Sequence, residues 1–516
     1  MKLNLINKYI PVNKSFWSKY KPKYSDAHIL IEEPKVPYIT HLNAVFSLIL
    51  NQAKSYIPVW CYSNKVDLQF LQSYMPLAEY RKLPKLNIKQ YIRTFIKAIN
   101  SFIKIYQSKN ILSFEYEGIK YGDIAYDTYL MERKVATIRR FDHYLLLIFL
   151  AIIIRHETVK KILGSANFVA VLVSHQIDIE SGVMLRVAIN LGYKGYLRAG
   201  HHQSTLQCFT KLDEVYDYEY KPFPNDINKI ITLFGNKLEK KFNTVLQRQT
   251  SGKGDADGKY AYNPQNKFYH SKKTFCENFS LDPHRKNIFI MLHALNDYPH
   301  SHFRWMIFKD YYNWMMETLK FAKEFKNANW IFKQHPSIKF YPTRDISFQK
   351  IFHSLPKHVV YIDKNKQIDT RSLVFCADIV VTCLGSAGFE LPAMAAIPTI
   401  IASDNFYTNL GFAYEPKNRS EYFDLLKKVH TIERLTPDQQ EKAKAAYIFI
   451  YEFSRVDISC CPILSLEDQN SSEIFRNYWK YVMDLYTSEK HKIFKETDKY
   501  IKDVSKFNFE RLLSIN

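Results

Sequence analysis

Three short segments of the chain carry side chains suited to binding phosphate or moving a proton. Thr382-Cys383-Leu384-Gly385-Ser386-Ala387-Gly388-Phe389-Glu390 directly follows the apolar run Ile379–Thr382 and opens a helical pattern. Its small residues let backbone approach a ligand closely, and the first N–H groups of a helix, with their partial positive charge, form an anion site. Ser386 can add a hydroxyl, and Glu390, about one turn later, can accept hydrogen bonds from a ribose. The turn is neither a P-loop, since no Gly-Lys-Ser/Thr follows, nor a GxGxxG fingerprint. The same residues also fit a plain strand-to-helix junction, with Ser386 as N-cap and Glu390 placed as in a capping box. The second segment is Lys333-Gln334-His335-Pro336-Ser337. The proline restricts His335 to extended backbone, so its ring can donate to a phosphate oxygen with Lys333 beside it as a cation. The third, Leu292 to His300, crowds His293, Asn296, Asp297 and His300 around Asp297-Tyr298-Pro299, which is also ordinary turn chemistry.

The elements that must position these residues follow from hydrophobic patterning. Asn287–Leu292, Trp330–Lys333, His358–Ile362, Ile379–Thr382 and Thr399–Ile401 are short apolar runs separated by helical segments, with a long amphipathic helix expected over Phe303–Phe325. Ile57–Tyr62 and Phe168–Val173 repeat the pattern upstream, the second followed by a helical stretch over Val183–Leu191 and a strand near Lys194–Leu197. Strands alternating with helices imply parallel sheets covered on both faces, with ligands outside the strands' carboxyl ends. Ser251–Asn266 holds three of the 14 glycines and reads as an exposed loop. The expected organisation is therefore two Rossmann-like α/β domains facing a cleft, over 1–280 and 281–450. A helical extension over 451–516, with Trp479, Tyr481 and Phe494 available to dock it, packs on the body.

Composition narrows the classes. The 516 residues are 47% hydrophobic and 24% charged, too apolar for a disordered chain. The formal charge of +21 favours anionic partners, whether nucleotide phosphates, nucleic acid or an anionic inner leaflet. Lysines are scattered rather than gathered in a stripe and no nucleic-acid-binding signature is present, so nucleic acid is not the expected partner. Seven cysteines without a CxxC pair exclude a disulfide scaffold or zinc site and fit a reducing cytosol. The N-terminus lacks a secretory pattern, and the longest apolar run, Tyr144–Ile154, falls well short of the roughly 20 residues of a spanning helix. It is expected to be a buried helix, and the protein to be cytoplasmic, with peripheral contact at the inner membrane face.

The order strand, His293-Ala294-Leu295-Asn296-Asp297-Tyr298-Pro299-His300, helix, Phe332–Ser337, Val380–Ala402, then Tyr407 and Gly411 resembles the donor-binding half of bacterial capsule and surface-polysaccharide glycosyltransferases of the GT-B fold. That broad group shares an HP motif and a later Gly-Ser/Thr-x-Gly-x-Glu turn. It also includes capsular Kdo transferases and, more distantly, CDP-glycerol glycerophosphotransferases. The resemblance spans about residues 285–415, with weaker echoes in Gly118–Leu130 and Val173–Gly192.

What the resemblance implies is a nucleotide-sugar donor, CMP- or UDP-linked, on the C-terminal domain and a glycan or glycolipid acceptor on the N-terminal one. Carried across, His335 contacts the donor phosphates with Lys333 and Ser337 nearby. Gly385, Ser386, Ala387 and Gly388 cradle the phosphates, Glu390 binds ribose or base, and His293 and Asp297 line the same edge. The helix dipole and basic groups can then stabilise the departing nucleoside phosphate, so no metal or other cofactor is expected. Asp255-Ala256-Asp257 lies in the Gly-rich loop rather than at a strand end. An inverting transfer needs a general base, for which Asp127, Glu180 and His175 are the leading choices, with Asp123 and Asp178 close in sequence. Arg198, His201 and His202 can bind an anionic acceptor or donor. The alternatives are a CDP-alditol phosphotransferase, sharing the nucleotide site, and a noncatalytic scaffold of a polysaccharide assembly complex. Substitution of His335→Ala or Glu390→Ala is expected to weaken donor use; wild-type turnover by both variants would remove the assigned site.

Overall fold

The computed structural model describes residues 10–457 apart from 12, 16, 19, 34–36, 63–67, 70, 75–77, 200–202, 218–220, 254–260, 264, 302–303, 364–367 and 455. His201, His202, the Asp255-Ala256-Asp257 segment and nearly all of the expected C-terminal extension lie outside the described residues.

The described residues form fifteen strands, numbered in chain order. In the first half they are β1 His28–Ile31, β2 Ile57–Tyr62, β3 Glu79–Lys82, the hairpin β4 Glu115–Tyr116 and β5 Ile119–Lys120, β6 Phe168–Val173, β7 Lys194–Ala199 and β8 Gln203–Phe209. In the second they are β9 Lys286–Met291, β10 Ala328–Lys333, β11 Val359–Ile362, β12 Ile379–Thr382, β13 Thr399–Ile401, β14 Ala413–Tyr414 and β15 Val456–Asp457. Runs such as Phe168–Val173 are apolar on both faces because helices cover both, which is the condition under which parallel strands form.

The second sheet runs β11-β10-β9-β12-β13-β14 and every pairing in it is parallel. In chain order this is 3-2-1-4-5-6, the doubly wound order whose crossovers reverse between its first and fourth strands. That switch point lies between β9 and β12. The first sheet runs β15-β8-β7-β6-β1-β2-β3, with the reversal between β1 and β6. Its far edge departs from the all-parallel expectation, because β8 and β15 pair antiparallel. Together they form the expected pair of Rossmann-like α/β units.

Packing redraws the expected boundary at residue 280. Ile227, Ile230, Phe242 and Val245, on helices Pro224–Phe234 and Leu238–Arg248, share a core with Phe389, Tyr407 and Tyr447 of the second unit. Helix Lys272–Phe279 likewise buries Phe275 and Cys276 against Phe289 and Ile331. The chain returns after helix Pro437–Ile448, and β15 adds to the edge of the first sheet. The helix expected over Phe303–Phe325 begins only at Tyr311, because Asp310 caps it by accepting from the Asn313 amide at 2.8 Å. Tyr144–Ile154 lies within helix His143–Leu163, which buries Leu145, Ile148, Phe149, Ile152 and Ile153. Among the described residues no helix is long and apolar enough to cross a membrane.

One buried ion pair ties the first unit's helices together. Arg186, on helix Ser181–Asn190, donates to both oxygens of Asp123 at 2.8 and 2.5 Å and to the Lys120 carbonyl at 2.7 Å. Asp123, weighed above as a proton acceptor, is thus a buried partner of this guanidinium. Asp123→Ala would leave the guanidinium buried without its counter-charge, a loss of about 3–5 kcal/mol. Urea unfolding reads it as a lower midpoint at unchanged slope; an unchanged midpoint would contradict the role.

Candidate functional site

The three segments singled out by sequence sit after β9, β10 and β12, and the structure brings them to one edge of the second sheet at its switch point. The contact that joins two of them is made by His293. Its Nε2 lies 3.3 and 3.2 Å from the amide nitrogens of Cys383 and Leu384, and 3.2 Å from Thr382 Oγ1. Two backbone N–H groups aimed at Nε2 make that nitrogen the acceptor, which leaves the ring proton on Nδ1. Burial, with the nearby imidazole of His335 adding to it, pushes His293 down to about 3, so the ring is neutral at physiological pH. The ring stacks on Tyr311 at 4.5 Å. His293 therefore organises the turn from behind, rather than facing a phosphate with Nε2.

The turn itself is preformed. The Gly385 amide donates to Thr382 Oγ1 at 3.1 Å, and the Gly385 carbonyl accepts from the Gly388 amide at 2.9 Å and the Tyr407 hydroxyl at 3.1 Å. Asn405 donates through Nδ2 to the Cys383 carbonyl at 3.1 Å, while its Oδ1 accepts from the Tyr407 amide at 2.9 Å. Helix Ala387–Ala395 then starts with Ser386 exposed and making no side-chain capping bond, unlike the capping-box alternative. Ala387 and Gly388 are buried in its first turn. Glu390 is buried and accepts from the Tyr262 hydroxyl at 3.0 Å and the Tyr451 hydroxyl at 2.5 Å. Nothing local signals that tyrosines 128 and 61 residues away meet this carboxylate.

Lys333, the last residue of β10, is almost fully buried, and that burial, only partly offset by Asp369, lowers it to about 8. His335 is half-buried, close enough to His293 to repel its proton. Ser337 falls in the short helical turn Pro336–Phe340. After β9, Asn296 is buried with its Oδ1 lacking a hydrogen-bond partner among the described residues, and Asp297 is half-buried beside it.

The first unit meets this edge from the opposite side. Asp127 is not on a cleft loop: it lies inside helix Gly122–Arg133 and is completely buried. Its Oδ2 accepts from the amides of His300 and Ser301 at 3.0 and 2.7 Å and from the Ser301 hydroxyl at 2.5 Å. Burial pushes its carboxyl well above the ordinary range despite these donors. Neighbouring Tyr126 donates to Asp310 at 2.7 Å, so this helix clasps the loop that follows β9. Tyr298, in that loop, has φ +46°, a strained backbone for a residue with a side chain. Burial raises its hydroxyl pKa, and Asp178, Asp297, Asp127 and Glu180 add to the rise.

Glu180 and Asp178 follow β6, with His175 before them. Glu180 is exposed and its carbonyl is held by Arg155, whose Nε and Nη2 lie 3.0 and 2.8 Å away. Asp178 accepts from the Ser181 amide at 2.6 Å, and half-buried His175 contacts Ser174 Oγ through Nδ1 at 2.9 Å. Two residues missed by the sequence analysis, Glu32 and Glu33, leave β1 at the first sheet's own switch point. Glu32 accepts from Asn43 at 2.8 Å and Ser181 at 2.6 Å, and Asn43 in turn accepts from Arg198 Nε at 3.1 Å. Glu33 pairs with both terminal nitrogens of Arg155, at 2.5 and 2.7 Å. The only sequence signal was their place at the end of an apolar run of four residues. Among the described residues no group of three or more His, Cys, Asp or Glu side chains is placed to hold a metal ion.

No protein-family model matches the sequence, and no curated protein matches it. Solved structures with a similar chain path include an S. aureus MnaA–UDP co-structure, at 12% identity over 83% of this chain and 94% of that one, TM-score 0.26. The glycosyltransferase SnogD from Streptomyces nogalater matches at 10% identity over 83% and 96%, TM-score 0.26. The wall teichoic acid polymerase TagF matches at 9% identity over 93% and 96%, TM-score 0.21. Scores of this size carry no argument about the chemistry, which stands on the geometry above.

A β-carbon at Gly388 would lie 2.0 Å from the Tyr407 hydroxyl oxygen. Gly388→Ala should therefore break the Tyr407–Gly385 bond and cost about 1–3 kcal/mol of stability. Thermal unfolding would show the loss; an unperturbed melt would mean that the turn is looser than described. Removal of the Glu390 carboxylate strands two buried tyrosine hydroxyls, so Glu390→Gln is a cleaner probe of ligand binding than the alanine variant.

Proposed function

We propose that the protein is a metal-independent glycosyltransferase that takes a nucleotide-activated sugar at the switch point of the second sheet. The acceptor is a capsular or surface-polysaccharide glycan or glycolipid held by the first unit. The observation that carries this reading is the convergence of three strand-end loops around a preformed turn at a helix N-terminus. His293 fixes that turn, with Lys333 at the end of β10 and His335 on the loop that follows it. Such an edge suits a diphosphate, because backbone amides, the helix dipole and a lysine all favour the anion.

In the proposed reaction an acceptor hydroxyl forms the new bond to the anomeric carbon as the bond from that carbon to the donor phosphate breaks. The electron pair leaves with the nucleoside phosphate, where the Gly385–Gly388 turn, His335 and Lys333 stabilise it. The hydroxyl proton goes to a base on the opposite wall. Glu180 and His175 are the candidates placed on the loop after β6, while Asp127 holds the two units together. Glu390, through its bonds to Tyr262 and Tyr451, shapes the base and ribose end of the site.

Two expectations follow. A thermal-shift series with CMP, CDP, UDP, GDP, ADP and dTDP should show a selective rise in apparent stability that persists in EDTA, since a ligand of the native state must stabilise it. No shift with any nucleotide would contradict the reading, and a shift abolished by EDTA would contradict metal independence. Lys333 also loses its charge as pH rises through about 8, so nucleotide affinity should fall across that range in the wild type and be flat in Lys333→Gln.

A further inference from the structure

Helix Ile88–Ser108 packs on the body with the wrong face. Its sequence, Ile-Lys-Gln-Tyr-Ile-Arg-Thr-Phe-Ile-Lys-Ala-Ile-Asn-Ser-Phe-Ile-Lys-Ile-Tyr-Gln-Ser, is amphipathic, and a helix of this kind ordinarily buries its broad apolar stripe. Here the buried residues are only Thr94, Ala98 and Ile105, a narrow seam against helix His143–Leu163. The broad stripe points outward: Ile88, Tyr91, Ile92, Phe95, Ile96 and Tyr106 are 45–74% exposed, and Ile103 lies among them. At 3.6 residues per turn these residues share one sector of roughly 140°. The adjoining sector holds Lys89, Arg93, Lys97 and Lys104. From Leu83 to Leu112 there is no Asp or Glu, against six Lys and Arg. The helix is also built to keep its shape unaided at both ends, through the Asn87–Gln90 capping box and a left-handed Lys109.

We infer that this helix is a membrane-docking element that lies in the headgroup plane of an anionic bilayer, its apolar stripe inserted and its basic flank against lipid phosphates. A bilayer of this charge matches both sectors at once: the stripe gains burial and the lysines meet anionic headgroups. A second copy of the chain on the same face would bring two sets of like charges together without any carboxylate on the helix to pair them. Lys97 is the basic residue turned back to the body, bonded to the Tyr116 hydroxyl and within 3.8 Å of Glu157. Lys109 lies over the Tyr106 ring at 3.6 Å, which extends the positive flank to the end of the stripe. The inference stands independently of the transfer reaction, because it uses no residue of the cleft.

The test is co-sedimentation of the full-length protein with vesicles of phosphatidylcholine alone and of equal parts phosphatidylcholine and phosphatidylglycerol. The wild type should pellet with the anionic vesicles, weakly or not at all with the neutral ones, and less as salt rises. The double variants Ile92→Gln/Phe95→Gln and Lys89→Glu/Arg93→Glu should each partition about tenfold or more less well. All four positions are exposed, so the thermal midpoints should match the wild type and show that the fold is intact. A wild type that stays in the supernatant with anionic vesicles, or double variants that pellet like the wild type, would overturn the inference. A dimer in solution that the apolar double variant dissolves, without vesicle binding, would assign the face to a second copy and overturn it as well.

Discussion

The edge where the loops after β9 and β12 meet depends on one imidazole. His293 brings no charge to the site, since burial holds it neutral, yet its Nε2 gathers the amides of Cys383 and Leu384 and thereby joins the loop after β9 to the turn after β12. Those strands flank the point where the crossovers of the sheet reverse, the place where open parallel sheets bind their ligands. A neutral acceptor is what the turn requires: a protonated ring would aim N–H at N–H. Helix Ala387–Ala395 consequently starts from a turn already fixed by Thr382, Tyr407 and Asn405. A fixed dipole is worth more to a bound anion than one that must reorganise on binding.

The second constraint is the clasp between the units. Asp127 collects three donors from His300 and Ser301, and Tyr126 reaches Asp310, the residue that also starts the helix behind His293. The loop that supplies His293, Asn296 and Asp297 is therefore held from both units. Tyr298 of that loop, between the two anchors, holds φ +46°.

Much of this was legible in the sequence because it was local. Apolar runs of buried parallel strands, the glycines of the turn and the His335-Pro336 pair are each defined within a few residues, and the three loops were placed at strand ends correctly. What was not legible depends on distant partners. The Ser301 donor to Asp127 and the Tyr262 and Tyr451 donors to Glu390 lie far along the chain from the carboxylates they meet. Asp123 looked free because Arg186 is 63 residues away. The boundary at residue 280 failed for the same reason: helices Pro224–Phe234 and Leu238–Arg248 are amphipathic, but amphipathicity does not say which core receives them.

The central claim is that a nucleotide enters at the edge formed by the loops after β9, β10 and β12. Amide hydrogen exchange of the full-length protein with and without a saturating nucleoside diphosphate tests it most directly, because bound phosphate must protect the backbone that holds it. Protection confined to residues 292–301, 334–340 and 383–390 is the predicted result. Protection elsewhere, with these three segments unchanged under a ligand known to be bound, would contradict the account.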